Sequence, residues 1–339
     1  MPDWIPDVLG DEFEQLTLEL AEDDEGPVVA TLVRALPARS RWWERLTRER
    51  GALEDVDVLY IHGWSDYFFQ KRLARFWTSR GARFFALDLR KYGRSLRDGQ
   101  TPGYITDLAT YDEDIAAALH AMGRGGEGAA SDRRLILLGH STGGLTLSLW
   151  ASRHPGAVDA LVLNSPWLEF QVASARPLIA PVAELQARWA PREVAPQVDL
   201  GFYTRAQQEV SDPDDPVEVN LLWRPAQTMA VHAGWFHAIL SGHAKVAAGL
   251  SVDAPVCVLL SARSATPTRW SEDLTRADSV LVVDDIARAA LKLGPSVTVE
   301  RIDGALHDVF LSRHEAREEA YRRLDRWVRA WSAVRERQT

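Results

Sequence analysis

The chain has 339 residues, 46% of them hydrophobic, and a formal net charge of −9 with acidic and basic residues mixed along its length. That balance excludes the concentrated basic face of a nucleic-acid binder, and the one cysteine, Cys257, excludes an internal disulfide. No apolar stretch approaches the ~20 residues of a membrane span, and Met1–Gly10 shows neither the basic nor the apolar region of a secretory signal, so a cytoplasmic protein without an integral membrane segment is expected. Arg39–Arg50 and Arg313–Arg335 are rich in arginine, but glutamates interleave them and they read as solvated helix faces.

In chain order, Phe13–Leu20 and Val28–Leu36 predict a hairpin around Asp23–Pro27. Val56–His62 predicts a buried strand, Phe69–Arg80 a helix ending at Gly81, and Ala82–Leu87 a second strand. Leu108–Met122 has helical spacing, and Gly123–Ser131 reads as a flexible loop. Arg134–Leu138 predicts a strand, Thr142–Ser152 a helix and Leu161–Leu163 another strand. From about Pro166 to Val252 the alternation stops. The stretch is rich in Pro and Trp, with helical patches and no clear strand. A strand returns at Pro255–Leu260. Asp284–Leu293 (helix), Val297–Ile302 (strand) and Glu315–Val334 (long amphipathic helix) complete the pattern.

Strand–helix alternation implies a mostly parallel sheet with helices on both faces. Ligands bind such sheets at the carboxyl ends of the strands. The irregular stretch therefore reads as an inserted helical lid, residues 166–252, over a core built from residues 1–165 and 253–339.

The chemistry is carried by Gly139-His140-Ser141-Thr142-Gly143, a G-x-S-x-G sequence between a predicted strand and a predicted helix. A serine on so sharp a turn sits in strained backbone, its hydroxyl projects into a cleft, and the helix N-terminus behind it favours developing negative charge. Ser141 is the expected nucleophile. A serine hydroxyl needs a base to take its proton. His307 is the best placed of the nine histidines, because its loop follows the last strand. The acid that orients the histidine belongs between them in the chain. Val256–Leu260 runs into Ser261-Ala262-Arg263-Ser264 without a carboxylate, which leaves Glu272, Asp273, Asp278, Asp284 and Asp285. Asp278 is the choice, with Glu169 as runner-up. Backbone N–H groups of Thr142 and of Trp64, in His62-Gly63-Trp64, are the expected oxyanion donors.

The set His62-Gly63-Trp64, Asp88-Leu89-Arg90-Lys91-Tyr92-Gly93-Arg94-Ser95, Gly139-His140-Ser141-Thr142-Gly143-Gly144 and Gly304-Ala305-Leu306-His307-Asp308 resembles the monoglyceride lipase/lysophospholipase-like branch of α/β-hydrolases, sometimes grouped with serine aminopeptidases. The resemblance covers residues from about 12 to 334 and is weakest in the lid. It implies the α/β-hydrolase fold and hydrolysis of esters, thioesters or sometimes amides. Two positions depart from the branch. Thr142 stands where it usually has Met, and its acid usually lies close behind the strand, near Ser264 here. Asp278 matches only if a loop of about a dozen residues is inserted.

The leading expectation is a serine hydrolase cleaving carboxylic esters through an acyl-enzyme, on a small-molecule ester with an apolar acyl group and with no metal or organic cofactor. An amidase, carbamate hydrolase or acyltransferase would use the same triad, and a ligand-binding protein could keep the fold without turnover. Trp167, Trp189, Trp223, Trp235 and Phe236 are candidate linings of an acyl pocket under the lid. Oligomeric state is not legible.

Overall fold

The computed structural model describes residues 3–37, 52–124, 132–171, 176–195, 197, 199–213 and 215–336. The arginine-rich stretch Arg39–Arg50 lies outside the described residues, as does most of the expected loop at Gly123–Ser131. Strands β1 (Ile5–Pro6), β2 (Phe13–Asp23) and β3 (Gly26–Ala35) form an antiparallel entry to the sheet. The β2–β3 turn closes at Asp23 and Gly26, with a register irregularity between Leu20 and Asp23. There follow β4 (Val56–Ile61), helix α1 (Lys71–Thr78), β5 (Arg83–Asp88), α2 (Tyr111–Ala121), β6 (Arg134–His140), α3 (Thr142–Arg153) and β7 (Ala160–Asn164). The connection to β8 (Val256–Ser261) carries α4 (Arg176–Trp189), α5 (Phe202–Glu209) and α6 (Ala233–Ala248). Helix α7 (Val283–Ala290), β9 (Val297–Ile302) and α8 (His314–Glu336) end the fold.

The nine strands among the described residues join one sheet in the order β1-β2-β3-β5-β4-β6-β7-β8-β9. From β5 onward every pairing is parallel. This is the mostly parallel sheet expected from the strand–helix alternation. Expected and observed elements differ by a few residues at their ends, where hydrogen bonding rather than apolar pattern sets the boundary. One internal difference is at Leu108, where a 3-10 turn over Leu108–Thr110 precedes α2.

The central strands are buried on both sides, and their residues alternate between two apolar layers. Leu135 and Leu137 of β6, Leu161 and Leu163 of β7 and Val256, Val258 and Leu260 of β8 face one layer, which α2, α3, α6 and α7 cover. Ile136, Leu138, Val162, Cys257 and Leu259 face the other, covered by α1 and α8. Cys257 is fully buried, and burial pushes its thiol up, so it stays protonated. Helix α6 lies inside the expected lid boundaries, yet Trp235, Ile239 and Val246 belong to the first core layer. Gly242 lets α6 approach Leu108, Leu145 and Leu149 closely. Along α8, Ala316, Ala320, Leu324 and Val328 are buried, while Arg322, Arg326 and Arg329 are exposed and pair with Glu319, Glu300 and Asp325, a solvated helix face as expected. Among the described residues no helix is long and apolar enough to cross a membrane.

The segment Asp88–Ser95 is a structural lock. The Asp88 carboxylate accepts from the Phe68 amide (2.8 Å), the Arg94 amide (3.1 Å) and the Arg94 guanidinium (2.8 Å). Arg94 also reaches Asp7, and Ser95 Oγ donates to the Asp88 carbonyl at 2.7 Å. Lys91, buried and at φ 62°, extends its ammonium to Asp23 and Glu25 in the β2–β3 turn. Arg192, from the β7–β8 connection, pairs with Glu25 and Asp24.

Burial acts against the Glu25 charge. The Lys91 ammonium, the Thr101 hydroxyl and the Arg192 guanidinium override it and hold the carboxyl at about 2. The folded value lies below the unfolded one, so the contribution to stability is present above the ordinary glutamate range and is lost as pH falls toward about 2. Glu25→Gln is expected to be less stable than wild type near neutral pH, with the gap closing as pH falls through this window. Urea unfolding of both proteins from pH 7 down to the lowest pH at which they fold checks this, and a pH-independent gap would contradict it.

Candidate active site

Ser141 sits between β6 and α3 at φ 51°, ψ −117°, a region that L-residues avoid and occupy only when the surroundings hold them there. The hold is steric and hydrogen-bonded. The Ser141 amide donates to the Asn164 carbonyl (3.0 Å), and the Ser141 carbonyl accepts from the Trp167 amide (2.9 Å). A side chain at Gly139 would come within 2.7 Å of the Gly144 backbone, and one at Gly144 within 2.7 Å of Pro166. One at Gly143 would run into the carbonyls of Ile61 and His62 at the end of β4. The glycines let helix, turn and neighbouring strand approach to backbone contact.

His307 comes from the loop after β9. Its Nε2 lies 3.1 Å from Ser141 Oγ, and its Nδ1 lies 2.9 Å from Asp278 Oδ2. The remaining Asp278 oxygen accepts from the amides of Val280 (2.7 Å) and Leu281 (2.8 Å). Ser141, His307 and Asp278 are all buried. A carboxylate can only accept, so Nδ1 carries the proton and Nε2 is left to accept from the serine hydroxyl.

The position of Asp278 resolves the sequence departure. After β8 the chain leaves the sheet and returns so that Asp278 bridges Ser264 in parallel register. Asp278 N donates to the Arg263 carbonyl, and Ala265 N donates to the Asp278 carbonyl. The carboxylate therefore stands beside Ser264 at the strand end, although 13 residues separate them in the chain. The other candidate acids have different partners. Glu169 accepts from the Phe170 amide, Glu272 pairs with Arg276, Asp273 with Arg263, Asp284 with Arg301 and Asp285 with Arg288.

The segments that carry the expected oxyanion donors, Thr142 and Trp64, adjoin the serine. Thr142 is the first residue of α3, where an amide has no partner in the preceding turn. Gly63 lies against Ser141, where an added side chain would come within 3.0 Å of the serine Cβ. His62 Nε2 receives the Leu89 amide (3.1 Å), which fixes the imidazole proton on Nδ1, and Nδ1 donates to the Gly63 carbonyl at 2.7 Å. Burial pushes the His62 imidazole down, which keeps it neutral in this role. With the Gly63 carbonyl turned to His62, the N–H of the same trans peptide, that of Trp64, points the opposite way.

A cavity of about 380 Å³ opens over Ser141 and His307, and Trp64, Trp167 and Trp235 form part of its wall. A second chamber of about 490 Å³ adjoins it, sharing Trp167, Val231 and Trp235 and adding Phe170, Ile179 and Phe236. Of the aromatic residues expected to line a pocket, Trp167, Trp235 and Phe236 line these chambers. Trp189 is 76% exposed on α4, and Trp223 packs edge-on against Tyr67. Neither lines these chambers, because α4 turns Trp189 outward and the loop holding Trp223 lies against the core.

The sequence reading missed the supporting shell. Asp308 accepts from Gln70 (2.7 Å) and Asn164 (2.7 Å) and from the Phe310 amide, which anchors the loop carrying His307. His140 Nδ1 donates to the Asn164 carbonyl, and burial holds its imidazole below the ordinary value. His140 and Asp308 stand inside quoted motifs, but nothing local marks Gln70 or Asn164 as their partners, since the four come from four separate segments. Among the described residues no group of three or more His, Cys, Asp or Glu side chains could hold a metal ion.

A model of the family described as serine aminopeptidase, S33 matches residues 55–261, more than half of the chain. The chain belongs to the serine aminopeptidase S33 family. A monoacylglycerol lipase from Mycolicibacterium smegmatis is 27% identical over 173 residues, covering 50% of this S33 chain and 56% of that protein. The match thus spans little more than half the length of this curated relative. Among solved structures, the monoacylglycerol lipase of Paleococcus ferrophilus superposes with a TM-score of 0.59 at 18% identity, covering 81% of this chain and 94% of that one. A soluble variant of the monoglyceride lipase of Saccharomyces cerevisiae superposes with a TM-score of 0.58 at 17% identity, covering 94% and 96%. The S33 chain therefore adopts the α/β-hydrolase fold. The matched family segment ends at Ser261, before the detour that carries Asp278 and before His307.

The packing around the turn generates a direct test. Gly143→Ala places a methyl group against two backbone carbonyls and is expected to cost about 2 kcal/mol or more, in the range for overpacked cores. A reduced urea midpoint with soluble, folded protein would show it, and an unchanged midpoint would contradict the close approach.

Proposed function

We propose that the protein is a serine esterase of lipase-like type, acting on small-molecule carboxylic esters with an apolar acyl group. The observation that carries this reading is the unbroken line from Asp278 through His307 to Ser141 at the floor of the cavity. In this mechanism Ser141 Oγ attacks the ester carbonyl while His307 Nε2 takes its proton. The Trp64 and Thr142 amides hold the oxyanion. The tetrahedral intermediate collapses, His307 returns the proton to the departing alcohol, and the acyl group stays on Ser141. Water, deprotonated by the same imidazole, then releases the acid. Asp278 holds the Nδ1 tautomer and offsets the imidazolium charge. The sequence needs neither a metal nor an organic cofactor.

The apolar chamber beside the cavity supports the acyl assignment. Ile179, Ala183 and Phe236 lie on α4 and α6, beyond the Trp167–Trp235 wall. The outer face of α4 exposes Leu178, Val182, Leu185 and Trp189, spaced i, i+4, i+7 and i+11. An apolar stripe beside an apolar chamber suits an ester presented from an aggregated phase. We assign residues 166–252 as a lid over the site, with α6 as its root in the core.

Two sets of variants test the reading. Ser141→Ala is expected to lower kcat on a p-nitrophenyl ester by about four to six orders of magnitude and to abolish labelling by a fluorophosphonate probe. Asp278→Asn is expected to cost about 10³–10⁴ in kcat, by mis-setting the His307 tautomer, and Glu169→Gln much less. Near-normal turnover by Ser141→Ala would sink the mechanism. For the chamber, Ala183→Trp should lower kcat/KM for a long-chain ester by about tenfold or more, the value of a pocket subsite, and leave the acetate ester nearly unchanged. Equal losses on both esters would remove the acyl assignment.

A further inference from the structure

Three consecutive residues directly after Trp64 each grip the same short part of the β7–β8 connection. Ser65 Oγ accepts from the Met229 amide at 3.1 Å. Asp66 Oδ1 lies 2.9 Å from Arg224 Nε. Tyr67 Oη accepts from the Asn220 amide at 2.8 Å, and its ring meets Trp223 edge-on. The pair at the centre is enclosed, with Asp66 6% and Arg224 12% exposed at the side chain. Arg224 is also tied to Gln207 of α5 (2.7 Å), and α5 supplies Tyr203, whose hydroxyl receives the Asp308 amide (3.1 Å) beside His307. Ser65 holds φ 54°, a left-handed conformation that a serine keeps only under constraint. Asp66, Arg224 and Tyr203 line the cavity with Ser141.

We infer that Asp66 and Arg224, flanked by Ser65 and Tyr67, form a latch through which the seating of the β7–β8 connection positions the Trp64 amide. This rests on the reading of Trp64 as an oxyanion donor. When residues 220–229 are seated, the Ser65–Tyr67 backbone is held at three points and the Trp64 N–H stays aimed away from His62. When they lift, Asp66 and Arg224 part and rehydrate, Ser65 loses the partner of its hydroxyl, and the strained turn relaxes. Coupling of this kind is reciprocal, so a bound oxyanion also favours the seated connection. The four latch residues are positioning residues that act through Trp64. Their loss should weaken transition-state binding more than ground-state binding.

The test uses the full chain and p-nitrophenyl acetate, too short to need the apolar chamber. Tyr67→Phe removes one hydroxyl, Asp66→Asn removes the charge, and Arg224→Gln removes its partner. Asp66→Asn and Arg224→Gln should each lower kcat by about 10- to 100-fold with KM changed less than about twofold, and the double variant should lose little more than either single. Affinity for an alkyl boronic acid, which forms a tetrahedral adduct on the serine, should fall in parallel with kcat. If Asp66→Asn or Arg224→Gln does not fold, Tyr67→Phe and Ser65→Ala carry the same expectation at smaller magnitude. Folded variants with unchanged kcat and boronate affinity, or with losses that simply add, would overturn the latch while the ester reading stands. A wild-type protein that neither turns over esters nor binds the boronate would overturn the ester reading, and the latch with it.

Discussion

The turn at Ser141 depends on a backbone contact that side chains would prevent. Gly143 packs on the carbonyls at the end of β4, Gly139 packs on Gly144, and Gly144 packs on Pro166. These contacts fix where α3 leaves the sheet, keep Ser141 at positive φ and bring Gly63 beside it. The neighbouring strand contributes through Asn164, whose carbonyl receives the Ser141 amide and whose side chain holds Asp308 next to His307. A strained residue persists only where its surroundings over-determine it. Here three segments do so, the end of β4, Gly139–Gly144 and Asn164–Trp167, and the loop carrying His307 joins them around the serine oxygen.

The acid shows how a sheet tolerates an excursion in sequence. The end of β8 is a fixed address, set by its pairing with β7 and β9. The chain can leave that address and come back to it, provided the returning backbone pairs with the departing one. Residues 265–277 make that excursion, and the bridge from Ser264 to Asp278 is the return. Lengthening a surface loop adds little closure entropy, whereas misplacing a carboxylate by an ångström would break its bond to His307. The two amides that bind the second Asp278 oxygen hold the carboxylate in orientation.

The family segments divide into two kinds of work. His62-Gly63-Trp64 and Gly139–Gly144 build the surroundings of Ser141. Asp88–Ser95 reaches that neighbourhood through the Leu89 amide on His62 and the Tyr92 ring edge-on to Trp64, and it also ties β5 to the start of the chain through Arg94 and Asp7, and to the β2–β3 turn through Lys91 and Glu25. Buried ion pairs of this sort are costly to break from one side. They fix the antiparallel edge of the sheet without entering the chemistry.

Sequence alone determined the elements whose signal is local. Strand alternation, helix spacing and the glycines around Ser141 are visible within a dozen residues, because backbone sterics and the two side-chain periods act over that range. They gave the sheet, its helices on both faces and the Ser141 turn, and chain order pointed to His307 and Asp278. The tertiary structure decided what depends on residues far apart in the chain. It put Asp278 beside Ser264 rather than leaving Glu169 as the partner of His307, turned Trp189 to solvent and Trp223 onto Tyr67, rooted α6 in the core, and joined Ser65, Asp66 and Tyr67 to residues 220–229. None of these contacts leaves a periodic trace, since each pairs one residue with another more than ten positions away, and only the packed chain sets that distance.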